Sequence, residues 1–132
     1  MTTYFDSSAL VKRYLVEVDS AQAIALVNQH SPRVTSMITR IEVRRAIARI
    51  ASAVDVSMTR EQFNRDLAQF EVASIDTEIC DRASAIAEAT GVRTLDSIHL
   101  ATALMFGCSN FVSFDRRQST VAIELGMTII GI

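Results

Sequence analysis

The sequence predicts an α/β fold, a three-layer α/β/α sandwich with a central parallel sheet of about five strands, formed by residues 1–132 as a single domain. Two observations predict it. Short β-prone runs alternate with segments of helical period, and some of those helical segments come in pairs between one strand and the next. A third observation supports compactness: the chain has one Pro and four Gly, which leaves little room for long loops or linkers.

Thr2 to Phe5 is the first β-prone run, and it ends at Asp6. Ser7 to Val16 reads as a helix with Leu10 and Tyr14 four residues apart. Asp19 or Ser20 then caps a helix that runs to about Gln29, and Pro32 breaks it. Arg33 to Ser36 is the second strand. From Ile38 to Ala53 the spacing predicts one long helix, with Val43, Ile47, Ile50 and Val54 as its buried stripe. Thr59 followed by Gln62 resembles a capping box for the next helix, which carries Phe63, Leu67 and Phe70.

Glu71 to Ile75 forms the third strand. Asp76 or Thr77 starts a helix that Gly91 ends as the residue after its C-cap. Thr94 caps a helix reaching Phe106, stopped by Gly107. Asn110 to Phe114 is the fourth strand, ending at Asp115. Gln118 to Leu125 is the last helix, and Met127 to Ile130 closes the sheet.

Composition narrows the function. The length suffices for one sizeable core, and 49% of residues are apolar. The formal charge is −2, whereas a chain held to nucleic acid by bulk charge is clearly basic. If RNA or DNA is the substrate, a local basic patch among the 13 Lys and Arg must hold it. Cys80 and Cys108 have neither disulfide-framework nor zinc-ligand spacing, and are expected to be small hydrophobes on helices. No signal-peptide pattern opens the chain and no apolar run is long enough to span a bilayer, so the expectation is a soluble, cytoplasmic protein without a membrane partner.

Four carboxylates carry the functional argument: Asp6, Glu42, Asp96 and Asp115. Asp6 and Asp115 end strands, Glu42 lies in the first turns of a helix after the second strand, and Asp96 lies two residues past a cap. Ligands of parallel sheets bind beyond the carboxyl ends of the strands. Four acids gathered there repel one another, and a hard divalent cation held by oxygen offsets the repulsion. Asp96 sits among Leu95, Ile98, Leu100 and Leu104, where an unpaired acid is costly. Singly, each has a structural alternative: Asp6 as a helix cap, Asp96 as a partner of a helix dipole, Asp115 as a turn residue, Glu42 as a partner of Arg45.

The order and spacing of these stretches resemble the PIN-domain nucleases, specifically the VapC-type toxins of toxin–antitoxin pairs. Y-F-D-S-S-A-L-V-K-R-Y (Tyr4 to Tyr14) looks like the first motif, and T-S-M-I-T-R-I-E-V-R-R-A (Thr35 to Ala46) like the second. T-L-D-S-I-H-L-A-T-A-L (Thr94 to Leu104) is the most specific stretch, and F-V-S-F-D-R-R (Phe111 to Arg117) resembles the fourth. The resemblance implies a Mg²⁺- or Mn²⁺-dependent endoribonuclease blocked by a cognate VapB-type antitoxin. Matched residue by residue, it implies Asp6, Glu42, Asp96 and Asp115 as the acidic site. Ser113 matches a hydroxyl position where relatives often carry Thr, and Ser7 a small hydroxyl position. No second acid follows Asp115 closely, as one does in some relatives, so the number of metals stays open.

The expected chemistry is attack of metal-activated water on a phosphodiester of structured RNA, tRNA or rRNA. Asp6, Asp96 and Asp115 are the expected metal ligands, with Glu42 and Asp115 able to orient or deprotonate the nucleophile. Ser7 and Ser113 could support a carboxylate or phosphate, or serve as ordinary cap and strand-end hydroxyls. Arg45 and Arg49 share the predicted face of Glu42 and are the candidate RNA-binding arginines. Lys12, Arg13, Arg116 and Arg117 lie near the acids in sequence, while Arg40 and Arg44 read as a solvated face. His99 is expected to be a core histidine satisfied by a hydrogen bond. Leu26, Phe63 and Phe70 mark either a homodimer surface or plain core. Two rivals remain: a phosphotransferase with Asp6 as nucleophile, which would want an acid where Ser8 stands, and a non-catalytic PIN-like module with an acidic metal or partner-binding pocket.

Overall fold

A computed structural model describes residues 1–50 and 52–131. Five strands form one sheet: β1 (Thr3–Phe5), β2 (Arg33–Ser36), β3 (Glu71–Ala73), β4 (Asn110–Ser113) and β5 (Thr128–Gly131). Every neighbouring pair is parallel, in the order β3-β2-β1-β4-β5. The chain therefore builds outward from β1 on one side, then crosses to build outward on the other. The switch falls between β1 and β4, where a crevice opens beyond the strand ends.

Among the described residues, seven helices cover the sheet: α1 (Ser7–Val11), α2 (Ser20–Gln29), α3 (Met37–Ile47), α4 (Ala53–Leu67), α5 (Thr77–Thr90), α6 (Thr94–Met105) and α7 (Arg116–Glu124). Strand alternation sorts them into two layers. Tyr4 and Phe111 are registered partners on β1 and β4, stack at 5.3 Å, and pack with Ile79, Ile86, Leu100 and Val121 of α5–α7. Phe5 and Val112, the next registered pair, point the other way into a core with Leu10, Leu26, Val43, Ile47 and Phe63 of α1–α4. This is the expected α/β/α sandwich with a five-stranded parallel sheet.

Several local expectations change. The first helix stops at Val11 rather than Val16, and turns follow it. The long helix expected over 38–53 stops at Ile47, and a new helix begins at Ala53, capped by the Ser52 hydroxyl on the Asp55 amide. Thr59 and Gln62 lie inside that helix, where Gln62 donates to Asp66 one turn on, as a side-chain pair rather than a capping box. Val43 and Ile47 are buried, but Val54 is 67% exposed because the break rotates it out of their stripe. Ala51, within the expected helix, lies outside the described residues.

Asp76 caps α5 and Gly91 ends it with φ +74°, as expected. Arg93, not Thr94, is the N-cap residue of α6. Asp115 caps α7, which starts two residues earlier than expected. Leu26 and Phe63 are buried in the α1–α4 core, and Phe70, partly buried, packs edge-on against Phe5 at 5.6 Å. Cys80 is exposed on α5, whereas Cys108 follows α6 and is buried, which pushes its thiol up to about 11. Among the described residues, no helix is long and apolar enough to cross a membrane.

Candidate functional site

A cleft of about 370 Å³ opens at the carboxyl edge of the sheet over the β1/β4 switch. Asp6, Glu42, Asp96 and Asp115 all line it. Asp6 follows β1, Asp115 follows β4, Glu42 projects from α3 and Asp96 from the first turn of α6. Ser7, Ser8, Lys12, Arg93 and His99 complete the part of the wall that bears on the chemistry.

Asp6 is the deepest acid, 1% exposed. Its Oδ1 accepts from the Ala9 amide at 3.1 Å and the Ser8 hydroxyl at 2.7 Å, and its Oδ2 from Ser113 at 2.6 Å. Burial pushes its carboxyl above the ordinary carboxylate range, and these hydrogen bonds and the nearby His99 only partly offset that. Asp6 thus does cap α1, as the structural alternative held, and it also faces the cleft. Ser113 is fully buried and does double service: it donates to Asp6 and accepts from the Asp115 amide at 3.0 Å. Ser8, where a phosphotransferase would carry its second acid, is a hydroxyl that supports Asp6 and accepts from the Phe114 amide at 2.9 Å.

Glu42 does not pair with Arg45. Its Oε1 accepts from Ser7 and lies 2.8 Å from Nε2 of His99. Nδ1 of His99 is 2.6 Å from the Tyr4 hydroxyl. Burial holds the Tyr4 hydroxyl well above its ordinary range, so it keeps its proton beside the His99 ring. Burial pushes the Glu42 carboxyl up, but the hydrogen bonds from His99 and Ser7 and the charges of His99 and Arg93 together outweigh it and hold Glu42 below its ordinary range. His99 is a buried, hydrogen-bonded core histidine as expected, and its bond partner belongs to the acidic cleft.

Asp96 and Asp115 are bridged by one guanidinium. Arg93 Nε is 3.2 Å from Asp96 Oδ2, and Arg93 Nη2 is 3.4 Å from Asp115 Oδ2. Asp115 also caps α7, its Oδ1 accepting from the Arg117 and Gln118 amides at 3.0 and 3.3 Å. Lys12 reaches the cleft over the Phe114 ring, 5.2 Å from its centroid, and pairs with Glu17 and Asp19.

The structure does not bring Arg45 and Arg49 to the cleft. Both are exposed, and neither lines it. The helical-face argument fails for Arg49 because α3 has ended at Ile47, and Arg45 sits in the last turn, where it complements the helix dipole instead. Arg13 pairs with Asp66 at 2.9 Å and lines a different cavity. The cation beside the acids is Arg93, which the sequence reading passed over. Its signal was its place three residues before Asp96 at a helix start. The Tyr4 partner of His99 had no such signal.

Among the described residues, no three His, Cys, Asp or Glu side chains already converge on a point where one ion could be coordinated. The donor chemistry still fits a hard divalent cation: the cleft presents four carboxylates and hydroxyls and no thiolate, and a guanidinium stands between two of the acids where positive charge is required.

The PIN domain family model matches residues 3–124. Ribonuclease VapC46 of Mycobacterium tuberculosis is 33% identical over 129 residues, covering 96% of this chain and 95% of the relative. The fold is similar to VapC20 of the same species, described as a sarcin-ricin loop cleaving toxin, with TM-score 0.78 and 15% identity over 98% of this chain and 99% of that one. It is also similar to a chain in a toxin–antitoxin complex from Klebsiella pneumoniae, with TM-score 0.69 and 20% identity over 86% of each chain.

Proposed function

The chain belongs to the PIN-domain family, and from that membership we propose that it is a metal-dependent endoribonuclease acting as the toxin of a toxin–antitoxin pair. The observation that carries this is the convergence of Asp6, Glu42, Asp96 and Asp115 on one cleft at the sheet's switch point. The near-full-length similarity to a ribonuclease supports RNA as the substrate. The likeness to a chain of a toxin–antitoxin complex supports a cognate VapB-type antitoxin as the partner. The finer reading is Mg²⁺ or Mn²⁺ as the cofactor, structured RNA such as tRNA or rRNA as the target, a homodimer as the working form, and the cytoplasm as the location.

Asp6, Asp96 and Asp115 are the residues that would hold the ion. When bound, such an ion supplies Lewis acidity toward a phosphodiester and a nucleophile at neutral pH. The protein's own contribution is positional. Ser8, Ser113 and the Ala9 amide lock Asp6 in one rotamer. The Tyr4–His99 pair and Ser7 hold Glu42 ionised at the rim of the cleft, where it can accept a proton from an attacking water. Ser113 ties the β4 end to Asp6, so the acids of the two central strands keep their spacing.

Purified protein without its partner is expected to cleave a panel of structured RNAs in Mg²⁺ or Mn²⁺, and chelator should stop it. Asp96→Asn should abolish cleavage while unfolding stays cooperative, because among the described residues that carboxylate is paired with the exposed Arg93. Intact RNA throughout the panel, with wild-type protein and metal present, would favour the non-catalytic binding module instead.

A further inference from the structure

Arg93 is the one cation in contact with the site's acids among the described residues, apart from His99 if protonated. It stands at the N-cap of α6, its side chain is 66% exposed, and its hydrogen bonds go to Asp96 and Asp115. Those two carboxylates are far less exposed, at 14% and 27%. Lys12, the other cation of the cleft wall, is committed to Glu17 and Asp19. We propose that Arg93 is the resident counter-ion of the site: it neutralises Asp96 and Asp115 until a divalent cation loads, and its released guanidinium then takes a phosphate of the RNA. This rests on reading the four acids as a metal site.

Three observations carry it. The guanidinium holds Oδ2 of both Asp96 and Asp115, and Oδ1 of Asp115 already accepts from the Arg117 and Gln118 amides, so a cation held by both acids would compete with Arg93 for Asp115. The guanidinium's hold is weak, because an exposed ion pair is screened by water, whereas a divalent ion brings twice the charge. Once displaced, Arg93 remains tethered on the rim of the cleft, with a planar fork of donors suited to a phosphate. A fixed positive charge at that position also serves the metal-free protein, because it lowers the mutual repulsion of acids that cannot move apart.

The test measures Mn²⁺ binding to the purified full chain by the paramagnetic resonance of free Mn²⁺, in wild type, Arg93→Gln, Arg117→Gln and Asp96→Asn. Arg117 is exposed near Asp115 and controls for the change in net charge. Arg93→Gln should bind Mn²⁺ about threefold to tenfold more tightly than wild type, and Arg117→Gln should differ by less than about twofold. At saturating Mn²⁺, Arg93→Gln should cleave RNA with kcat/KM reduced about tenfold or more, chiefly through KM. Unchanged or weaker Mn²⁺ binding in Arg93→Gln, equal tightening in Arg117→Gln, or unimpaired cleavage would each overturn the proposal. If wild type binds no Mn²⁺ and Asp96→Asn behaves identically, the metal-site reading itself fails, which is a separate result.

Discussion

Asp6→Asn should make the metal-free protein more stable while destroying its activity. Asp6 is fully enclosed, and burial outweighs its three hydrogen bonds to hold the carboxyl above its ordinary range. Asparagine is nearly isosteric and can keep the network. Its carbonyl accepts from Ser8 and Ala9, and its amide donates to Ser113, which has a lone pair to spare beside the bond from Asp115. Removing an ionised group from such a site is worth about 1–3 kcal/mol. At about 4 °C per kcal/mol for a domain of this size, Tm should rise by roughly 4–12 °C.

The pH dependence gives the sign independently. Between the ordinary carboxylate pKa and the raised folded value, the native state binds the extra proton, so native stability falls as pH rises through that window. Glu42 works in the opposite direction: its folded pKa is lowered, so its contribution is lost as pH falls. Comparing Asp6→Asn with wild type cancels the Glu42 effect. The stability gap, read by urea melts in chelator, should be small below the ordinary carboxylate range, widen as pH rises above it and level off once pH has passed the raised folded value. Mg²⁺ at about a hundredfold over its Kd should then add about 2.7 kcal/mol to wild type and little to the variant. A variant no more stable than wild type in chelator, or a gap that narrows with rising pH, would refute the reasoning.

Ser113→Ala removes a donor to Asp6 and an acceptor for the Asp115 amide, so stability should drop by about 1–3 kcal/mol and the Asp6 carboxyl should rise further, seen as a shift in the same pH-dependent melts. Tyr4→Phe keeps the packing but frees Nδ1 of His99; the expected cost is about 1–2 kcal/mol in urea melts, with RNA cleavage falling because Glu42 loses its fixed partner. Gly91→Ala and Gly131→Ala both meet positive φ, but an added Cβ at Gly91 finds open space whereas at Gly131 it would lie 2.8 Å from the Ser113 carbonyl oxygen. Gly91→Ala should cost about 1 kcal/mol and Gly131→Ala clearly more by thermal melting, and equal losses would count against the β4–β5 register.

The sandwich and its five strands were readable from the sequence because strand runs, the Asp76 cap and the Gly91 stop are local signals, decided within a few residues. The four acids were readable for the same reason: two stand just past strands, and parallel strands put such positions at one edge. Helix breaks were less legible. The stretch from Ile38 to Ala53 satisfies helix propensity throughout, yet α3 stops at Ile47 and α4 starts afresh at Ala53 with its own Ser52 cap. That break removed Arg49 from the face it was assigned.

The spacing of the four acids along alternating elements leaves them one edge of the sheet to occupy, and there they line one cleft. What each acid touches depends on how the layers pack. Asp96, which its apolar neighbours made the hardest acid to place, is partly exposed and paired with Arg93, while Asp6 is the buried one. The Tyr4–His99 bond joins residues 95 positions apart, and the Ser113–Asp6 bond residues 107 apart. Such contacts depend on register across β1 and β4 and on how α6 lies over the sheet, and no periodicity within a helix or strand encodes them. The four carboxylates are therefore a property of the chain, and the opposite shifts of Asp6 and Glu42 are a property of the fold.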